Sequence, residues 1–313
     1  MPIAPSNGLK GNSSVSIRFG VSPIAWINDD MPELGGDTPL EHVLGEARDI
    51  GFAGIELGGR FPRDARSLTA LLARFELALV GGWYSASLLT RTAGEEIAAL
   101  QAHLALLKAL DCRVFILAET SNAIHGDRTL PLSATPRLNR AVWAHFGAKL
   151  TEVADHVAAA GLRLAYHHHL GTVVESGEDI GRFLLSTGPS VGMTIDTGHA
   201  ALAGVDAVSL IRNHPQRVAH VHCKDIRGKV FRKIQAEGGS FLRGVLDGMF
   251  TVPGDGDLDF GKVMQALGEI GYSEWIIVEA EQNPASADPR RYGQLGLTTL
   301  RREAAAAGLR TAE

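Results

Sequence analysis

Hydrophobic positions along the chain follow two alternating rhythms. Short runs rich in β-branched and other apolar residues recur at 16–22, 53–57, 77–83, 113–117, 162–167, 191–196, 217–222 and 275–279. Runs of this length and composition predict buried strands. Between them the apolar residues return every three or four positions. Leu40–Ile50 is apolar at 40, 43, 44, 47 and 50, the stripe of an amphipathic helix, and Gly51 supplies its stop. Longer helices are predicted over 93–110 and 137–160, the second closed by Gly161. Another covers 260–270 up to Gly271, and a last one covers about 288–307.

Strands that alternate with helices predict parallel β-α units. Eight of them, with no linker and no second composition zone, predict an α/β fold closed into a single (β/α)8 TIM barrel. The barrel is expected over 17–313, after a polar, flexible tail at 1–16. No GxGxxG follows the first strand, so the dinucleotide fold lacks its fingerprint. Two connections, 118–136 and 223–258, are too long for simple turns, and such loops tend to be functional. The second carries Arg227, Lys229, Arg232 and Lys233, and it is expected to cover the active site and to face a polar substrate or a neighbouring subunit.

Composition narrows the class. Of the 313 residues 45% are apolar and 21% charged, and the net charge is -5. That describes a soluble globular protein without the basic excess of a nucleic-acid binder. No apolar run approaches the ~18 residues of a membrane span, and residues 1–16 lack the apolar core of a secretory signal. Cys112 and Cys223 are the only cysteines and form no CxxC pair. A disulfide framework and a thiolate zinc cage are therefore excluded, and a reducing cytoplasm is the expected setting.

In such a barrel chemistry sits where strands end. Here those positions carry Glu56, His167–His168–His169, Asp196, His222 and Glu279. From His167 to Asp196, His222 and Glu279 the steps are 29, 26 and 57 residues, each at least one β-α unit. Two imidazoles and two carboxylates suit a divalent ion such as Mn²⁺, Co²⁺, Fe²⁺ or Zn²⁺. Any one of these residues alone reads as an ordinary polar strand end; four at consecutive ends read as a metal site. Residues two apart on a strand share a face, which adds His169, Lys224 and Glu281 just beyond the ligands. His199 follows Asp196 where a helix would begin. Of the triplet, His168 is expected to point away. Trp26 and Asn28 after the first strand, and Trp83 after the third, are candidates for a polyol-binding wall, with Glu56 beside them. Cys223 is expected to be packed rather than nucleophilic.

These words in this order resemble a known family. SPIAWINDDMPELGGDTP (22–39), GFAGIELGGRFPRD (51–64), YHHHLGTVVE (166–175), DTGH (196–199), HVHCKD (220–225), FTVPGDGDLDF (250–260) and VEAEQNP (278–284) are similar to the inosose dehydratase family, within the xylose-isomerase-like sugar isomerases and epimerases. The likeness runs from about 18 to 300. It implies a TIM barrel, Mn²⁺ or Co²⁺, and dehydration of scyllo-inosose (2-keto-myo-inositol) to a trihydroxycyclohexane-1,2-dione in inositol catabolism. Glutathione is at times associated with the family, though no residue here accounts for it, and a homo-oligomer stays open. The superfamily's usual ligands are Glu, Asp, His and Glu. Asp196, His222 and Glu279 match, whereas the fifth strand offers histidine, most simply His167, in place of the glutamate.

That replacement removes one of the two bases an epimerase needs. It also leaves a divalent ion with two carboxylates neutral, where three would leave it negative, and so a stronger Lewis acid. A lyase on a polyol ketone is therefore the expected enzyme, and a metal-dependent ketose epimerase or isomerase the alternative. For elimination, Glu281 or His169 would be the base, and Lys224 or His199 the acid for the departing hydroxyl.

Overall fold

The computed structural model describes residues 16–312. The tail expected at 1–16 lies, except for Ser16, outside the described residues. The barrel strands are β1 (Arg18–Val21), β2 (Gly54–Leu57), β3 (Ala78–Ala86), β4 (Val114–Glu119), β5 (Arg163–His167), β6 (Val191–Asp196), β7 (Val218–Cys223) and, after a small antiparallel pair β8 (Asp225–Ile226) and β9 (Phe250–Thr251), β10 (Trp275–Val278). All eight are parallel to their neighbours, and β1 pairs with both β2 and β10, which closes the ring.

The helices are α1 (Leu40–Ile50), α2 (Ala65–Ala73), α3 (Ala93–Ala109), α4 (Arg140–Ala159), α5 (Gly177–Ser186), α6 (Thr197–Leu202), α7 (Ala207–Asn213), α8 (Gly228–Ala236), α9 (Phe241–Leu246), α10 (Phe260–Glu269) and α11 (Pro289–Ala306). The five longest stripes predicted α1, α3, α4, α10 and α11 within three residues at each end. The other helices, none longer than ten residues, escaped the pattern, because two to three turns show too few periods to separate a stripe from chance. Their caps were nonetheless present in the sequence. Asp64 accepts from the Ser67 amide at the start of α2, and Ser176 and Asp179 form a reciprocal box at the start of α5.

Inside the ring the lower layer is apolar. Trp275, Val80 and Ile277 form its plug. A Cβ on Gly54 would lie 2.7 Å from the Trp275 ring and 2.8 Å from Val80, so only glycine leaves the indole room. The polar strand ends stand above this plug. The outward strand faces bury Leu164, Tyr166, Val221, Cys223, Ile276 and Val278 beneath the helices.

The long connection after β7 is not a bare loop. It folds into β8, α8, α9 and β9 around a second core that includes Met31, Leu170, Phe231, Phe241, Met249 and Phe250. Its own sequence holds it together. Asp225 accepts amide hydrogen bonds from Ile226, Gly254, Gly256 and Leu258 at 2.8–3.2 Å. Arg227, expected to face substrate or a neighbour, instead donates to the carbonyl of Gly248 at 2.9 Å and pairs with Asp255. A half-buried guanidinium gains more from these fixed acceptors than from solvent. The 118–136 connection packs on the same structure, where the Leu132 amide donates to the Gly239 carbonyl at 3.0 Å.

Candidate active site

The expected four ligands converge at the top of the ring. His167 from β5, Asp196 from β6, His222 from β7 and Glu279, one residue past β10, are all buried. His167 Nε2 lies 3.2 Å from His222 Nδ1 and 3.6 Å from Asp196 Oδ2, and His222 Nδ1 lies 3.7 Å from the same oxygen. Separations of this size suit atoms that share one ion at ~2.1 Å each.

Hydrogen bonds behind the cluster set which ring nitrogens face inward. His167 Nδ1–H donates to the His168 carbonyl at 2.8 Å, which leaves the Nε2 lone pair free. His222 Nε2–H donates to Glu56 Oε1 at 3.0 Å, which leaves Nδ1 free. Orientation of a ligand imidazole by an outer acceptor is the usual support of a metal site. Two carboxylate oxygens then want a cation. Asp196 Oδ2 is buried without a hydrogen-bond partner. Glu279 Oε2 is crowded against His222 Nδ1 but meets no hydrogen bond of acceptable geometry. Burial pushes the His222 pKa down, but Glu279 and Glu56 outweigh it and hold it well above the usual range. Every one of these signs marks the place as built for positive charge. These residues could hold a divalent metal.

Glu56 lines the cavity as expected, and it also supports the cluster from beneath. Its Oε1 also accepts from His220 Nε2 at 2.8 Å. Burial raises its pKa, but His222 and His220 reverse the effect and hold it far below the ordinary carboxylate range.

Beside the ligands lies a second polar group. Lys224 is fully buried, with Nζ 2.5 Å from Glu281 Oε1, 3.3 Å from Glu279 and 3.6 Å from Asp196. Burial lowers its pKa, but the three carboxylates outweigh it and raise the value, so it stays an ammonium. The DTGH word explains how the stem fits. Thr197 Oγ1 donates to the Lys224 carbonyl at 2.7 Å and accepts from its amide at 3.0 Å. A Cβ on Gly198 would lie 2.8 Å from Lys224 Cγ. His199 lies 3.0 Å from Lys224 Nζ and 3.4 Å from Glu281 Oε1, with Phe241 and Phe250 of the insertion packed beside its ring. Burial first, and then Lys224, push the His199 pKa well below normal.

A cavity of about 150 Å³ opens above the cluster. That is room for roughly five waters, or one polyol ring. Its wall includes His167, His169, His222, Glu279, Glu281 and Trp83, whose indole donates to Ser85 at 2.8 Å. Lys224 and His199 do not reach it; both stand behind Glu281. Trp26 and Asn28 are also off the wall. The Trp26 indole donates to Glu46 at 2.7 Å, on the side of α1, because Glu46 offers a strong acceptor there. Asn28 Oδ1 caps the loop by accepting from the amides of Asp30 and Met31 at 2.9 and 2.8 Å.

His168 does not line the cavity. Neither ring nitrogen has a partner, and burial drives its pKa down to about 3. Several wall residues were not among the sequence candidates, and two of them, Asp30 and His125, are titratable groups beside the cluster. The Asp-Asp pair was visible in the sequence. His125, whose ring lies 4.9 Å from that of His169, carried no periodic signal because it sits in a long connection.

The xylose isomerase-like TIM barrel family model matches residues 44–302. The "Rhizopine catabolism protein MocC" of Rhizobium meliloti is 46% identical over 96% of this chain and 92% of its own length. The inosose dehydratase of Geobacillus thermodenitrificans is 38% identical over 88% of this chain and 93% of its own. Among solved structures, an L-ribulose 3-epimerase superposes with a TM-score of 0.67 at 17% identity, over 93% of this chain and 96% of that one.

Proposed function

The chain belongs to the xylose isomerase-like TIM barrel family, and from that premise we propose that it is a metal-dependent hydro-lyase that removes water from scyllo-inosose to give a trihydroxycyclohexane-1,2-dione. Relatives named inosose dehydratase, 34–38% identical over most of the chain, support the hydro-lyase class. The observation that carries the reading is the one-sided arrangement of the base. Glu281 stands beside the ligand cluster with Lys224 on its Oε1, and β5 contributes no carboxylate to the cavity. The nearest acid after β5, Glu175, is turned to Thr135 and the Gly171 amide instead. An epimerase acts from both faces of a carbon; an elimination needs one base.

A divalent ion, Mn²⁺ or Co²⁺ on this reading, would be held by His167, Asp196, His222 and Glu279, and would supply Lewis acidity to the ketone oxygen. The chain's own residues do the rest. Glu281 takes the proton alpha to the ketone. Burial raises its pKa, but the Lys224 ammonium outweighs this and keeps it ionised. Its contacts with Lys224, His199 and His169 all fall on Oε1, which leaves Oε2 for substrate. His169 donates through Nδ1 to the Leu170 carbonyl at 2.7 Å, so its Nε2 lone pair can accept a substrate hydroxyl. Trp83 covers an apolar ring face. Lys224 and His199, given the acid's part by sequence, act here as positioning residues, since neither touches the cavity.

The test is turnover of scyllo-inosose by chelated protein before and after reloading with Mn²⁺, Co²⁺ or Zn²⁺, followed by NMR. A dione and water support the reading. A stereoisomer of the substrate would establish the epimerase alternative instead.

A further inference from the structure

We propose that Asp30 is a catalytic residue: the acid that protonates the hydroxyl leaving the polyol ketone. This rests on the dehydratase reading, which requires such an acid and leaves it unassigned once Lys224 and His199 are placed behind the wall.

Three observations lead to Asp30. First, it lines the cavity together with His167, Glu279 and Glu281. Second, every other carboxylate on that wall is already engaged. Asp29 accepts from the Gly59 amide, Glu56 from two histidines, Glu279 faces His222 and Lys224, and Glu281 holds Lys224. Among the described residues the Asp30 carboxylate makes no hydrogen bond and no ion pair. Third, it is held in place. The Asn28 side chain accepts from the Asp30 and Met31 amides, and Met31 is buried in the insertion's core. A carboxyl fixed by its backbone, with both oxygens free, is arranged for a ligand rather than for the fold.

The competing proton donors are weaker. Burial pushes the His125 pKa down, so it is a neutral imidazole at the wall, and the His169 Nδ1 proton is already given to the Leu170 carbonyl. The groups that act on Asp30 from around it are Glu281, Asp29 and Glu279, which raise its pKa, and Lys224, which lowers it. With burial the leading cause, the carboxyl is pushed up to about 7. It can therefore carry a proton near neutrality, where an ordinary aspartic acid cannot.

The step balances without a further reactant. Glu281 removes the alpha proton, and its bonding pair becomes the enolate. The enolate pair then forms the C=C bond as the β C–O bond breaks. The departing oxygen keeps that bond's electrons and takes the Asp30 proton, so water leaves and the enol product rearranges to the dione. Glu281 ends protonated and Asp30 ionised, and exchange with solvent restores both.

The experiment compares wild type, Asp30→Asn and Asp30→Glu, each loaded with Mn²⁺. In D₂O, Asp30→Asn should still exchange the alpha proton of scyllo-inosose but form dione ~10²–10⁴-fold more slowly. Its pH–rate profile should lose the alkaline limb, and Asp30→Glu should recover part of the rate. Dione formation at the wild-type rate, or equal loss of exchange and elimination, overturns the proposal. A wild type inert to scyllo-inosose would sink the substrate reading instead, and a substrate-free measurement then decides Asp30. Its folded pKa lies above the unfolded value, so ionisation destabilises the native state as pH rises from about 4 through about 7. In metal-free protein Asp30→Asn should therefore raise Tm over wild type at pH 8 but not at pH 4. An identical difference at both pH values overturns the free, raised carboxyl and with it the acid.

Discussion

Lys224→Met separates a buried positioning charge from a surface acid. The side chain is fully buried, and its ammonium is the cation that three carboxylates share in the metal-free protein, Glu281 at 2.5 Å, Glu279 at 3.3 Å and Asp196 at 3.6 Å. Methionine keeps most of the stem's volume beside Gly198, so packing is little disturbed and the lost charge dominates. Removing one partner of a buried ion pair costs ~3–5 kcal/mol, because the other charge stays behind in low dielectric. Unfolding entropy scales with length, and in a chain of this size 1 kcal/mol corresponds to roughly 1.5 °C. Chelated Lys224→Met should therefore melt about 5–8 °C below wild type.

A divalent ion would restore part of the missing positive charge. Three carboxylates, one ammonium and a divalent ion come to zero, so the variant with metal is left with a single excess negative charge. The gain in Tm on adding Mn²⁺ should accordingly be larger in the variant than in wild type. Turnover should still fall, by ~10²–10⁴, because Glu281 loses the partner that keeps it ionised and aimed. Differential scanning calorimetry with and without Mn²⁺, with metal content measured on the same samples, reads all of this. If the chelated variant melts with the wild type, Lys224 is not the buried counter-charge described here.

Three further outcomes follow from the site. Glu56→Gln replaces the acceptor that orients His222 and His220, so Mn²⁺ affinity should drop ~10–100-fold by titration calorimetry, with the fold unchanged by circular dichroism. Glu279→Ala should leave protein that retains no metal after desalting; stoichiometric metal in that variant would overturn the ligand set. Trp26→Phe loses one hydrogen bond to Glu46, worth ~1 kcal/mol, and should lower Tm slightly while kcat stays at the wild-type value, since the indole lies off the cavity.

Much of the fold was legible because two periods are written into the chain. A parallel strand is buried on both faces and so reads as a continuous apolar run. A helix at the ring's outer edge must show a stripe. Eight runs in alternation with stripes leave few ways to close a sheet, and the register of β1 with β10 completes the one that was expected. The candidate metal cluster was legible for the same reason. A histidine or carboxylate that ends an apolar run is costly anywhere except at the mouth of a barrel. Hence His167, Asp196, His222 and Glu279 stand out in the sequence alone.

What the chain could not reveal by itself was depth and direction. Alternation says that Lys224 and Glu281 share a face with the ligands, but not that one lies behind the other; that follows from the packing of Phe250, whose ring lies 4.6 Å from Lys224 Nζ. Trp26 and Trp83 look alike as aromatics after a strand. Glu46 on α1 draws the first out of the cavity, and Ser85 holds the second in it. Arg227 looked like a substrate contact until the fold of its own connection supplied acceptors. Asp30 gave no sign of being free, because freedom is a property of what surrounds a carboxylate. Local sequence determines periodicity and residue type. Which polar atoms are left without partners is decided only when distant segments meet, and at this barrel's mouth those atoms are the ones the proposed reaction would use.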